Sequence, residues 1–233
     1  MQGEEEGARA ALAALMGVAA QALEASSNRR DTYTVATEQA TLVVPRVQSA
    51  SLTIAHLDGA METVAATADP LAAEADEAQK LRGEGPCLDA ARQRKTLLTG
   101  DVKVDPRWPA YGPAAAELGV TSQLAVQVFS AGQSRVGLNL YSRHPDAFDA
   151  SVHSAELFAS LAAIALGFAN SVADLDDALE SRSQIGQAIG IVRERYTLDE
   201  HEAFTFLVRV SQDSNRKMRV VAQEIIAPDA NVR

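Results

Sequence analysis

Between Ser151 and Tyr196 the chain contains no proline, and Leu157, Leu161, Ile164, Phe168, Val172, Leu175 and Leu179 follow one another at intervals of 4, 3, 4, 4, 3 and 4 residues. That spacing is close to a coiled-coil seam with a single stutter, so it predicts a long helix whose apolar stripe needs a cover. The first turns, near Leu157 to Ile164, are expected to lie on a neighbouring sheet. The part around Val172 to Leu179, with Asp174, Asp176, Asp177 and Glu180 on other faces, has no evident cover in its own chain. A homodimer with Val172, Leu175 and Leu179 in its interface is therefore expected, joined by the Ala-rich amphipathic helix of residues 1–24 that carries Leu12, Leu15 and Leu23. The alternative is a single helix packed on its own domain.

The 233 residues, 47% of them hydrophobic, suffice for one large or two modest domains with a proper core. A single cysteine, Cys87, excludes a disulfide within one copy and any multi-cysteine metal site, and no metal is expected. No stretch approaches the roughly 20 apolar residues of a membrane span. The run Ala8 to Ala25 follows Glu4, Glu5 and Glu6 rather than a basic region, unlike a signal sequence. A cytoplasmic protein is the expectation, and a net charge of −10 argues against sequence-blind binding to DNA or to a membrane surface.

Two segments have the period of antiparallel strands. Leu52, Ile54 and His56 alternate with Thr53, Ala55 and Leu57, Asp58-Gly59 turns the chain, and a second run goes from Met61 to Thr67. Leu124, Val126 and Val128 alternate with Ala125, Gln127 and Phe129; after a turn over Ala131 to Ser134, Val136, Leu138 and Leu140 alternate with Gly137, Asn139 and Tyr141. Two hairpins would make most of one sheet. Asp69 to Ala90 has helical character, and Asp105 to Gly119, with three of the eight prolines, predicts an irregular connection.

Gly83-Glu84-Gly85-Pro86-Cys87-Leu88-Asp89-Ala90, Asp105-Pro106-Arg107-Trp108-Pro109, the Gly119 to Ser122 lead into a strand, and Gly137-Leu138-Asn139-Leu140-Tyr141-Ser142 together resemble a GAF domain over residues 25–168. The resemblance implies a sensor fold, an antiparallel sheet flanked by helices. Members differ widely in ligand, so any cofactor is unknown and a small molecule is the general expectation. Three residues carry two readings each. Cys87, at a helix start, is either a small buried apolar residue or a thiol of lowered pKa able to act in redox or covalent attachment. His56 is either a satisfied core histidine or a cavity-lining ligand. Trp108 is either a packing anchor or a stacking platform.

From Gln184 to Ile226 apolar residues recur in three helical blocks: Ile185, Ile189, Val192 and Tyr196; Ala203, Leu207 and Val210; Met218, Val221, Ala222 and Ile225. Thr197 and Glu200 have capping-box spacing, and Ser214 or Asn215 suits the cap of the third helix. Ala188 and Gly190, Glu202-Ala203-Phe204, Leu207 and Arg209, Ser211, Asn215-Arg216-Lys217 and Val221-Ala222 resemble, in that order, an ANTAR domain, a three-helix module that binds RNA in transcription antitermination. Many members have Ala-Lys-Gly where this chain has Ala188-Ile189-Gly190, which shifts the basic contacts to later residues. Residues 182–226 carry seven basic against six acidic side chains, so this segment is nearly neutral in an acidic chain. The basic cluster is either a local phosphate-facing patch or a solvated helix face.

The fold class expected is α+β: an amphipathic helix over 1–24, a GAF-like sheet domain over 25–168, a coiled-coil-like connecting helix over 169–181, a three-helix ANTAR bundle over 182–227 and a tail over 228–233. The resemblances imply a regulator whose sensor controls a dimeric module binding paired RNA hairpins in nascent transcripts. Arg209, Arg216, Lys217 and Arg219 would contact phosphates, Ser211 and Asn215 bases or sugars, and Gly190, like Ala188, would allow close backbone approach to RNA or to a neighbouring helix. An enzyme is not expected, because GAF-type reduction of methionine sulfoxide needs an attacking and a resolving thiol. No helix-turn-helix pair suggests DNA. The competing reading is a ligand-dependent protein-interaction module without a nucleic acid partner.

Overall fold

The alternating segments form the sheet. In a computed structural model, which describes residues 2–56, 60–93, 95–131 and 134–227, strand β1 (Ser49–His56) pairs antiparallel with β2 (Met61–Ala66), and β4 (Ser122–Ala131) with β5 (Ser134–Ser142). The first turn and the middle two residues of the second, with the 228–233 tail, lie outside the described residues. A short strand not expected from the pattern, β3 (Leu97–Thr99), pairs with β4 and completes the order β2-β1-β5-β4-β3. Three residues are too few to display a period.

Helices cover both sheet faces. Among the described residues the chain's helices are α1 (Gln2–Glu24), α2 (Arg29–Val43), α3 (Leu71–Arg82), α4 (Pro86–Gln93), α5 (Tyr111–Glu117) and α6 (Val152–Tyr196), which begin in the same unit as the sheet, and α7 (Glu200–Asp213) and α8 (Met218–Ile226), which belong to the other unit. Asn28 caps α2 by accepting the Asp31 amide, and Gly83, at φ 64, ends α3 in a left-handed turn that glycine adopts without Cβ strain. The connection expected to be irregular contains α5. On one sheet face Leu52 of β1, Leu138 and Leu140 of β5 and Leu124 and Val126 of β4 are buried in one core with Leu23, Ala36, Ala40 and Val43 of α1 and α2.

The inner face of α6 differs from the expected one. Ala155, Phe158, Ala159, Ala162 and Leu166 are buried in this core and Leu161 of the expected stripe packs at its edge, whereas Leu157 is exposed and Ile164 is 75% exposed. Three alanines let the helix axis come close to its neighbours, and Leu157 and Ile164 are left on the outside. The same double-sided apolarity corrects the membrane expectation. α6 has an 18-residue window of mean hydropathy 1.5, enough by length and composition alone for a span. Its Ala155, Phe158, Ala162 and Leu166 side chains are nevertheless committed to a protein core.

The Cα trace divides into two units between Asn170 and Ser171. In the second, Ala188, Leu207, Val221 and Ala222 form a core with Ile185, Ile189, Val210 and Ile225 around it. The first of the three expected short helices is the end of α6, which runs on through residues 169–181, Gly186 and Gly190 without a break. An interior glycine costs about 1 kcal/mol, too little to end a helix that packing supports. The caps also shift. Asp199, not Thr197, forms the capping box with Glu202, since its carboxylate suits the positive helix end, and Thr197 sits at φ 54 before it. Ser214 is the C-cap of α7, Asn215 is left-handed at φ 51, and α8 starts after Lys217 with no side-chain cap.

Replacing Phe158 by alanine is expected to cost about 3–5 kcal/mol, and Ile164→Ala within about 0.5 kcal/mol. Urea titration followed by Trp108 fluorescence checks this; equal costs would contradict the assigned inner face.

Candidate nucleic-acid interface and buried sensor network

The turn from α7 into α8 gathers most of the residues expected to contact RNA. Ser211 Oγ donates to the Arg216 carbonyl at 2.5 Å, and the Arg216 amide returns a bond to the Ser211 carbonyl at 3.0 Å. The Asn215 amide donates to the Gln212 carbonyl at 3.1 Å. The Ser211 hydroxyl proton therefore holds the turn, and the left-handed backbone at Asn215 suits an Asn side chain that faces solvent. Arg216 pairs with Glu224 of α8, which raises the guanidinium pKa further and lowers that of the carboxyl. Arg209, Lys217 and Arg219 are exposed, and among the described residues none of them forms an ion pair.

The Ala-x-Gly step separates into two roles. Ala188 is fully buried in the small core, so its size serves helix packing. Gly190 is exposed, and a Cβ built there meets nothing within 4 Å, so nothing in this chain calls for glycine at that point. Val172, Leu175 and Leu179 are 42%, 60% and 58% exposed. A further exposed feature, absent from the sequence reading, is a ring contact between Tyr196 and Phe206.

In the first unit, the sheet face opposite the large apolar core is polar, yet buried. Register places Ser51 beside Asn139 and Ser49 beside Tyr141, which in turn faces Gln123. Asp76 of α3 is fully buried against this face. It accepts from Tyr141 Oη at 2.5 Å, from Thr63 Oγ1 at 2.9 Å and from Asn139 Nδ2 at 3.4 Å. Burial pushes its carboxyl up to about 6, and hydrogen bonds from Tyr141, Ser51 and Thr63 oppose that rise. Gln79 ties α3 to its neighbours, accepting the Cys87 amide at 2.8 Å and donating to Tyr141 Oη at 3.1 Å.

Cys87 is buried, with Sγ 2.9 Å from Thr53 Oγ1. Desolvation first, and the nearby Asp76 charge second, push its thiol up to about 12. Burial thus outweighs the helix start, and the reading of a thiol of lowered pKa is set aside. A cavity of about 10 Å³ lies between Cys87, Gly137, Asn139 and Val126, room for about one water-sized group. A haem or tetrapyrrole would have to displace side chains to enter. His56 is exposed at the end of β1, against the expectation of a core position; the buried pattern of that strand stops one residue earlier. Trp108 is buried, donates from Nε1 to Asp89 at 2.9 Å and has the Arg107 guanidinium 4.2 Å from its ring centre, which makes it a packing anchor.

The sequence reading missed Asp76, Gln79 and Thr53. Alternating polar residues on β1, β4 and β5 carried the signal, but that alternation ordinarily marks a solvent face.

The family model of the GAF domain matches residues 26–167, and that of the ANTAR domain matches residues 173–226. Among solved structures, the GAF domain from a phosphoenolpyruvate-protein phosphotransferase of Coxiella burnetii is 16% identical, with 72% of this chain and 96% of that one covered and a TM-score of 0.51. Free methionine-R-sulfoxide reductase from Neisseria meningitidis, in complex with its substrate, is 13% identical, with 68% and 89% covered and a TM-score of 0.53. The GAF domain from an Acinetobacter phosphoenolpyruvate-protein phosphotransferase is 13% identical, with 70% and 97% covered and a TM-score of 0.51. At such identities the likeness is one of fold. No curated protein matches the chain.

Because the Asp76 pKa is raised on folding, its protonated form contributes stability that is full below about pH 4 and is lost as pH rises through about 6. Asp76→Asn keeps an acceptor for Tyr141 without the charge. Its melting temperature is expected to gain on the natural protein between pH 4 and 7, by the equivalent of about 2–3 kcal/mol. A difference that shrinks over this range would refute the assignment.

Proposed function

This chain belongs to the GAF domain family and carries an ANTAR domain after it, and from that premise we propose a signal-responsive regulator whose dimer binds RNA hairpins in nascent transcripts. A GAF domain is a sensor domain, and an ANTAR domain is a known RNA-binding antitermination module. The observation that carries the reading is the set of three exposed cations, Arg209, Lys217 and Arg219, without ion pairs among the described residues, in a chain of net charge −10. Lys217 and Arg219 flank the start of α8, where no side chain caps the helix and the positive end of its dipole adds to their charge. Cations so placed meet phosphates, and hairpin loops present unstacked bases beside them.

In this reading Arg209, Lys217 and Arg219 hold phosphates, and Arg216 joins them on leaving Glu224. Asn215 reads a base or sugar at the tip of the turn, Ser211 keeps that turn in shape, and Gly190 gives the RNA backbone room to approach. Val172, Leu175 and Leu179 meet their counterparts in a second copy. Two domains on neighbouring hairpins then gain avidity from effective concentration. The signal enters the GAF domain and passes along α6, an element common to both units. The setting is cytoplasmic. No thiol chemistry is assigned, since one buried cysteine with a raised pKa supplies neither the thiolate nor the resolving partner of a reductase.

Selecting stem–loops from a pool with randomised loops and titrating the full chain against them over a range of salt tests the reading. Lys217→Ala and Arg219→Ala are each expected to weaken binding and to lower the magnitude of the salt slope by about 0.7 to 0.9. Glu224→Gln, which frees Arg216, is expected to strengthen it. Unchanged affinity and slope in both alanine variants, with folding intact, would transfer this face to a protein partner.

For assembly, sedimentation at micromolar concentration is expected to show a dimer, and the double variant Leu175→Asp/Leu179→Asp a monomer, because each carboxylate enters an apolar seam unpaired. A double variant that stays dimeric would place the interface elsewhere.

A further inference from the structure

The corner between α6 and α7 carries a feature that the cation face does not explain. Tyr196 and Phe206 lie with ring centres 5.7 Å apart and planes tilted by 37°, yet they are 54% and 38% exposed. The next residue, Leu207, is fully buried and holds α7 on the small core. The rings are thus held together at the surface rather than in the core. Arginines flank them on both helices. Arg193 precedes Tyr196 by three residues and Arg209 follows Phe206 by three, a spacing that makes neighbours on a helix surface. Arg209 has no ion pair among the described residues. Arg193 has only a long contact of 3.9 Å to Glu200, with both side chains half-exposed or more, the kind of pair that contributes little. Of the other acidic groups near this corner, Glu202 is held in the Asp199 capping box, Glu194 is exposed and follows Arg193 directly, and Asp213 stands one turn beyond Arg209.

We propose that Tyr196 and Phe206 form a stacking platform for an unpaired base of the bound RNA loop, with Arg193 and Arg209 holding the phosphates on either side of it. This rests on the RNA-binding reading above and adds Tyr196, Phe206 and Arg193, which the motif residues do not include. The chemistry favours a nucleobase over an aliphatic protein surface. Aromatic faces with cations at both ends match a planar ring on a charged backbone, and such stacking tolerates any base while adding to affinity. Arg209 belongs to this platform and to the cation face alike.

The test uses the full chain, a stem–loop selected from randomised loops, and the same stem closed by an abasic loop. Tyr196→Leu/Phe206→Leu keeps apolar bulk and removes the π faces. It is expected to weaken binding to the natural loop by about 5- to 150-fold for one lost stack. The salt slope should stay as it was, and the preference for the natural over the abasic loop should disappear. Arg193→Ala and Arg209→Ala should instead lower the slope. Phe206→Trp is a second probe, expected to bind normally with its fluorescence quenched by RNA, while the buried Trp108 gives a constant background. A leucine variant that folds and still discriminates the loops like the natural chain overturns the platform, as does a Phe206→Trp chain that binds RNA without quenching. If the natural chain selects no stem–loop at all, the RNA reading itself fails, and the platform with it.

Discussion

Alanine on the inner face of α6 is the constraint on which much of this molecule rests. Ala155, Ala159 and Ala162 let the helix come close to its neighbours, and Phe158 and Leu166 fill the remaining space in the core shared with Leu52 and Leu138. A leucine-lined inner face would have kept the axis farther away. Leu157, Ile164, Phe168, Val172, Leu175 and Leu179 are all exposed. A further stretch of the same helix, at Ile185, Ala188 and Ile189, packs into the small core of the second unit. One helix thus contributes to two cores, with alanines, Phe158 and Leu166 in the first and Ile185, Ala188 and Ile189 in the second.

The first unit uses its two sheet faces differently. One is an apolar core. The other buries a polar network in which Asp76, Tyr141, Asn139, Thr53, Gln79 and Cys87 are linked by hydrogen bonds. Such a network is weaker in net stabilisation than apolar packing and more demanding in geometry, since an unmet polar group in a low dielectric is costly. Here the demand is nearly met. Among the described residues Asn139 Oδ1 and Gln123 Nε2 have no hydrogen-bond partner, and Asn139 borders the small cavity. The same burial that raises the Asp76 carboxyl also raises the Cys87 thiol.

The second unit separates positioning from contact. Ser211 and the Asp199 capping box spend their hydrogen bonds on backbone. Arg216 is tied to Glu224, while Arg209, Lys217 and Arg219 stand apart from any acidic partner among the described residues. Only a few side chains of this bundle are buried, so most of its surface is exposed.

Periodicity and turn chemistry are local, so the sequence alone determined the two hairpins, the long proline-free helix, the helical blocks around Leu207 and Val221, and the division into a sheet domain and a helical module. It also set the order of the motif residues from Ala188 to Ala222. Tertiary structure decided which of two apolar stripes on α6 turns inward, because a helical period says which residues share a face and not which face is covered. For the same reason the polar alternation of Ser51, Thr53, Asn139 and Tyr141 turned out to be buried beneath α3 rather than solvated. Between Thr197 and Asp199, both followed at the right spacing by Glu, only the path of the chain chose the cap. The meeting of Tyr196 with Phe206 depends on how successive helices pack, and that of Arg216 with Glu224 on how the turn enters α8, distances in space that spacing along the chain does not contain.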